Sequence, residues 1–228
     1  QQLVDLALAA NPQEPAVDLV RARMLRDQRK YAAAIEALER LRVALPDFED
    51  SKAMLAENLR DLGYERRFAK DDDGAVAAWL RFLEQAPQNV DVEAVKMQLA
   101  AIWRHKESAG IEARSRGDRA AAIAAFRDCL RIDPAQHWAA WLLVSTLVDD
   151  PAADLKELDD LSRKALEWQQ SHGLDRSQQV AVRATVLGRG GDPTAARKLL
   201  EDYLRAPDAT APPAVLEILR GMARDLGR

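Results

Sequence analysis

The sequence predicts an all-α protein, an α-solenoid in which antiparallel helix pairs stack one on the next. Three observations carry the prediction. Ala, Leu, Glu and Arg, all strong helix formers, dominate a chain of 228 residues that is 48% apolar and 31% charged, and strand-like Val-Ile-Thr runs are nearly absent. Apolar residues recur at three- and four-residue spacing through almost the whole length, broken by short Gly, Pro or Asp punctuation. The breaks are so short that each helix must turn back on the one before. A long series of such hairpins cannot share one core, so pair stacks on pair.

Taken in order, the periodicity places helices at about 2–10, 15–27, 31–44, 48–69, 73–85, 90–116, 119–131, 135–149, 153–170, 176–189, 193–205 and 212–226. Their ends have physical reasons. Asp71, Asp72 and Asp73 fall where the positive dipole end of the following helix favours carboxylates. Gly117 offers a left-handed C-terminal cap and Asp118 an N-cap for the next helix. Gly191-Asp192-Pro193 repeats that logic, with Pro at the first helical position, where its missing N–H costs nothing.

The pairs resemble a known family. A tetratricopeptide repeat crosses two helices at small residues, with W-x2-L-G-x2-Y on the first, A-x3-F on the second and then Pro. The first repeat here reads Ala22-x2-Leu25, then Ala34-x3-Leu38, Leu41 and Pro46. The second reads Leu59-x2-Leu62-Gly63, then Ala75-x3-Trp79, Phe82 and Pro87. The third reads Ala109-Gly110-x2-Ala113, then Ala122-x3-Phe126, Cys129 and Pro134. The fourth opens with Trp141-x2-Val144-Ser145-x2-Val148, but its second helix, with Leu158, Leu161 and Ala165, is degenerate. The fifth reads Ala184-x2-Leu187, then Ala196-x3-Leu200 and Tyr203. Each match is weak alone; in series they cover most of the chain. The resemblance implies a right-handed solenoid of bacterial type, with repeats at 15–48, 49–89, 90–136, 137–174 and 175–210 and a capping helix at 211–228.

The closing prolines test the register. Pro12 to Pro46 spans 34 residues, the family's repeat length, whereas Pro46 to Pro87 spans 41 and Pro87 to Pro134 spans 47. Seven extra residues are about two turns, so the inward face is kept and the helix near 48–69 should project by about 10 Å. The helix near 90–116 should overhang further. At the N-terminus, residues 1–14 (Val4-x2-Ala7, then Asn11-Pro12) match only the end of a repeat. The chain also begins Gln1-Gln2 without Met, so it is expected to be cut from a longer protein.

Composition and motifs act mainly by exclusion. Net charge is −4, without the basic excess of a nucleic-acid binder, and no apolar run approaches the length of a membrane span. One cysteine, Cys129, makes no internal disulfide, which fits a reducing, cytoplasmic setting. His105, His137 and His172 are too scattered for a metal motif, and Gly188 to Gly191 follow a helix and lack the Lys of a phosphate loop. The paired carboxylates fall at helix ends and on solvated faces. No catalytic residue, metal or cofactor is expected. Of the five tryptophans, Trp79 takes the family's core aromatic position, Trp141 reads as core, and Trp138 as either core or a ligand platform.

In the family, the first helices of the pairs line the ligand-binding concave face. By position, the resemblance puts Arg23, Arg26, Arg60, Tyr64, Arg67, Arg104, Ile111, Arg114, Gln178 and Arg189 there. Recurrent guanidinium groups in an acidic chain suggest a groove for an extended acidic segment, whether of another protein or of another domain of the same chain. The competing reading is that these arginines pair with neighbouring Glu and Asp. Clamping of chaperone C-termini is disfavoured, because the corresponding positions include Leu19, Arg23, Asp61 and Arg104 rather than the family's Lys and Asn. The function expected is therefore a protein-interaction scaffold. The alternative is an accessory domain of a larger enzyme, such as a bacterial glycosyltransferase, that positions substrate or sets oligomeric state.

Overall fold

The computed structural model describes residues 15–227, in which there are eleven α-helices and no strand. They are α1 (Pro15–Asp27), α2 (Tyr31–Ala44), α3 (Glu49–Phe68), α4 (Asp72–Gln85), α5 (Val92–Ser115), α6 (Arg119–Ile132), α7 (His137–Leu147), α8 (Leu155–Ser171), α9 (Ser177–Arg189), α10 (Pro193–Arg205) and α11 (Pro213–Asp225). Each lies within about two residues of the bounds read from periodicity, the usual uncertainty of helix ends. The helix expected at 2–10 lies outside the described residues. The fold is all-α, a helical-repeat array in which successive helices pair.

The chain divides into two compact units, Gln1–Ile102 and Trp103–Arg228. In the N-terminal unit α1 packs on α2, α2 on α3 and α3 on α4. In the C-terminal unit each helix from α6 to α11 packs on its successor, and α7–α9 and α9–α11 touch as alternate helices. Alternate contacts of this kind are what stacked helix pairs require.

One register describes four of the five pairs. A small buried residue on the first helix (Ala22, Gly63, Gly110, Ala184) is followed 12 residues later by a buried Ala (Ala34, Ala75, Ala122, Ala196). Four residues on comes a large, fully buried side chain, Leu38, Trp79, Phe126 or Leu200. The next turn adds Leu41, Phe82, Cys129 and Tyr203. These sites form the seam of each pair, and the small residues let the helices approach closely. The fourth pair breaks the register, yet α8 still buries Leu158, Leu161 and Ala165.

The turn within each of these four pairs is also one device. The residue seven after the small one adopts a left-handed backbone: Arg29 (φ 57°), Lys70 (φ 62°), Gly117 (φ 78°) and Gly191 (φ 85°). The next N–H then donates to the carbonyl five residues back, as Lys30 does to Leu25, Asp71 to Arg66, Asp118 to Ala113 and Asp192 to Leu187, at 2.8–3.0 Å. This is a Schellman closure. The expected N-caps follow: Asp71, Asp118 and Asp192 accept from the backbone N–H of Gly74, Ala121 and Ala195. Sequence alone marked the glycine turns and gave no signal at Arg29 or Lys70.

Helices α3 and α5 are overlong as expected, with 20 and 24 residues against 13 for α1. Their extra turns lie at the N-terminal ends. In the N-terminal unit those turns carry buried groups of their own, Ser51 and Leu55 on α3 and Val92, Val95 and Leu99 on α5.

Candidate partner-binding face

In the N-terminal unit the expected groove arginines are largely committed to carboxylates. Arg26 on α1 pairs with Glu57 and, at 3.7 Å, with Asp61, both on α3. Arg60 donates to Asp61 at 2.8 Å and pairs with Asp91, just before α5. Arg67 pairs with Asp72 at the start of α4. The contacts of Arg26 and Arg60 run from one first helix toward the next in a ladder of alternating charge, while Arg67–Asp72 ties α3 to its own partner α4. Two of its rungs, Arg26–Glu57 and Arg60–Asp91, span the same 31 residues. Arg23 is exposed, and among the described residues it has no ion pair. Tyr64 is 38% exposed and meets buried Trp79 edge-on, with ring centroids 5.2 Å apart.

The C-terminal unit differs. Arg104, Ile111 and Arg114 are spaced by seven and three residues on α5 and therefore share a face. All three are exposed. Arg114 reaches forward by the same 31-residue step, but the group it meets on α7 is a hydroxyl, Ser145 Oγ at 3.1 Å. Arg104 has no ion pair among the described residues. Trp138, two turns before Ser145 on α7, is 40% exposed, whereas Trp141 is half-buried against the core. An uncompensated arginine pair thus lies on one helix and an exposed aromatic on the next first helix.

Arg189 serves another end. Arg189 on α9 donates to the carbonyls of Val148 and, at 2.7 Å, Asp150, satisfying the α7–α8 loop where the turn motif fails. Gln178 is exposed on α9, and its side chain makes no hydrogen bond among the described residues. Trp103 is half-buried, and so is Trp168, which stacks between His137 and His172.

The lone cysteine and the Asp159-Asp160 pair have defined surroundings. Burial pushes the Cys129 thiol up to about 12, and the thiol donates to the Trp103 carbonyl at 3.7 Å. Such a group is a packing residue rather than a nucleophile. Asp159 is held by Arg183 at 2.6 Å, and the Asp160 carboxyl is lowered mainly by a hydrogen bond from Lys164. Among the described residues no group of three or more His, Cys, Asp and Glu is arranged to hold a metal, and no helix is long and apolar enough to cross a membrane.

No protein-family model matches the sequence, and no curated protein matches it. Solved structures that it resembles include tetratricopeptide-repeat proteins. One is the TPR2AB-domain:pHSP90 complex of yeast Sti1, at 11% identity over 99% of this chain and 90% of that one, with a TM-score of 0.46. The TPR domain of P58(IPK) matches at 11% identity over 98% of this chain and 60% of that one, TM-score 0.42. A tetratricopeptide repeat protein from Parabacteroides merdae matches at 13% identity over 93% and 86%, TM-score 0.29. The register of small, Ala and large seam residues in four of the five pairs is the one that the tetratricopeptide-repeat resemblance implied.

Sequence position proposed Arg26, Arg60, Arg67, Arg104 and Arg114 for these faces. It did not reveal which were neutralised, because the carboxylates that meet Arg26 and Arg60, Glu57 and Asp91, lie 31 residues away in sequence. The substitution of Ser145 for a carboxylate at that step is the signal that separates Arg114 from Arg26 and Arg60.

Proposed function

We propose that the chain is a non-catalytic protein-interaction scaffold whose face on α5 and α7 of the C-terminal unit takes an extended acidic segment of a partner, either another protein or another domain of its own polypeptide. The observation that carries this reading is the exposure of Arg104 and Arg114 without a carboxylate partner. Two unneutralised guanidinium groups on the helix that exposes Ile111, with Trp138 exposed two turns before Ser145 on α7, favour an anionic chain with an apolar anchor. The chain's net charge of −4 argues against nucleic acid as the partner. In the N-terminal unit a ligand carboxylate would compete with Glu57, Asp61, Asp91 and Asp72 for Arg26, Arg60 and Arg67, so those residues contribute less.

The test is fluorescence anisotropy with a labelled Asp/Glu-rich peptide that carries one Trp. Arg104→Glu with Arg114→Glu should weaken binding roughly tenfold or more, and Arg60→Glu with Arg67→Glu should weaken it less. Raising ionic strength should weaken the wild type. Binding that ignores both salt and the Arg104/Arg114 reversal would sink the reading.

A further inference from the structure

The N-terminal unit contains a recess of about 410 Å³, lined by Arg29, Tyr31, Asp61, Tyr64, Glu65 and Phe68. Four of these residues, 61, 64, 65 and 68, follow the i, i+3, i+4, i+7 stripe of α3. The left-handed turn at Arg29 sets Tyr31, the first residue of α2, as the opposing wall. Phe68 is 93% exposed and Tyr64 38% exposed, so both rings present area that the fold itself does not cover. Glu65 is exposed and has no ion pair among the described residues, while Asp61 is shared between Arg60 and Arg26.

The lining decides the occupant. An aliphatic or aromatic side chain would cover the three rings, but it would also strip water from the Asp61 and Glu65 carboxylates without replacing its hydrogen bonds. An anionic group would meet those carboxylates directly. A long cationic side chain suits both halves: its methylene stem lies along Tyr31, Tyr64 and Phe68, and its charged head reaches Glu65 and the faces of the rings. We propose that this recess is a subsite for a lysine or arginine side chain of a partner protein. Arg29 is the one cationic side chain in the lining and opposes a second cation, and Arg26 and Arg60 already neutralise Asp61, so Glu65 is the carboxylate left for the head group. The subsite is independent of the α5–α7 face, because the two lie in different units and share no residue.

The test is an NMR titration of the whole chain with labelled Tyr and Phe rings. The probes are N-acetyl-lysine amide, N-acetyl-norleucine amide, which lacks the ammonium group, and N-acetyl-glutamate amide. The lysine derivative should move the ring resonances of Tyr31, Tyr64 and Phe68 at about 10 mM, with the norleucine and glutamate derivatives several-fold weaker. Glu65→Gln should weaken lysine binding about three- to tenfold. Arg29→Gln should strengthen it. Both side chains are exposed, so both variants should fold. Norleucine matching lysine would overturn the proposal in favour of a plain apolar anchor pocket. Weaker lysine binding in Arg29→Gln, or rings that stay unmoved at about 50 mM lysine derivative, would overturn it as well.

Discussion

Gly63 has no room for a methyl group. A Cβ built there would stand 2.2 Å from Trp79 Nε1 and 2.4 Å from its Cδ1, and one at Gly110 would stand 2.5 Å from Phe126 Cε1. At the equivalent seam positions Ala22 is followed by Leu38, and Ala184 by Leu200. The seam therefore keeps volume constant by exchange: glycine opposite an aromatic, alanine opposite leucine. Gly63→Ala should cost about 2–3 kcal/mol, since the Trp79 ring is fully buried and held by its N–H to the Arg60 carbonyl at 3.2 Å. Trp79→Leu alone should also destabilise, through the cavity it leaves. Combined, the two should recreate the Ala–Leu seam of the first pair and cost clearly less than their sum, as measured by urea unfolding of the four members of the cycle. Strict additivity would show that the two positions do not share one packing volume.

At the scale of elements, much of the fold was legible. Helix existence, type and bounds followed from apolar period and from Asp caps, because these are local signals. The turns at Arg29 and Lys70 were not legible, because a left-handed backbone forced on a residue with a Cβ leaves no mark in sequence. Its cost is real, so Lys70→Gly should stabilise the protein by about 1 kcal/mol and raise its melting temperature. A neutral or destabilising result would mean that the Lys70 side chain supplies something the turn geometry does not. A clamp sits at the start of α9. The Arg176 backbone N–H and guanidinium together donate to the Asp208 carboxylate over 2.8–3.2 Å. Burial pushes the neighbouring Tyr203 phenol up to about 12, so it remains protonated beside Asp175. Hydrogen bonds from Arg176, foremost among the causes, hold Asp208 below the ordinary carboxylate value. A carboxyl lowered on folding stabilises fully above its unfolded-state value, and that contribution is lost as pH falls through the folded-state value. Asp208→Asn should therefore cost about 1–2 kcal/mol at neutral pH and flatten the acid limb of the stability curve, where the wild type loses the most. A variant whose deficit is as large at pH 3 as at pH 7 would remove the clamp from this account.

At the scale of the whole molecule, what the sequence concealed was non-local: which arginine meets which carboxylate on the next first helix, and where α3 and Tyr31 leave a recess. What it disclosed was modular, and modularity has a consequence for stability. The helix contacts within each unit join helices one or two places apart in order. In such an array stability is a sum of local and nearest-neighbour contributions, and damage stays near its source. Loss of the Arg176–Asp208 clamp should thus be felt along α9, α10 and α11, whose cluster includes Val180, Leu200, Tyr203 and Leu219. Hydrogen exchange of Asp208→Asn should show protection reduced about tenfold in those three helices, while α1 to α3 keep wild-type protection. An equal loss in all eleven helices would identify a single all-or-none folding unit, and the nearest-neighbour account would then be wrong for this chain.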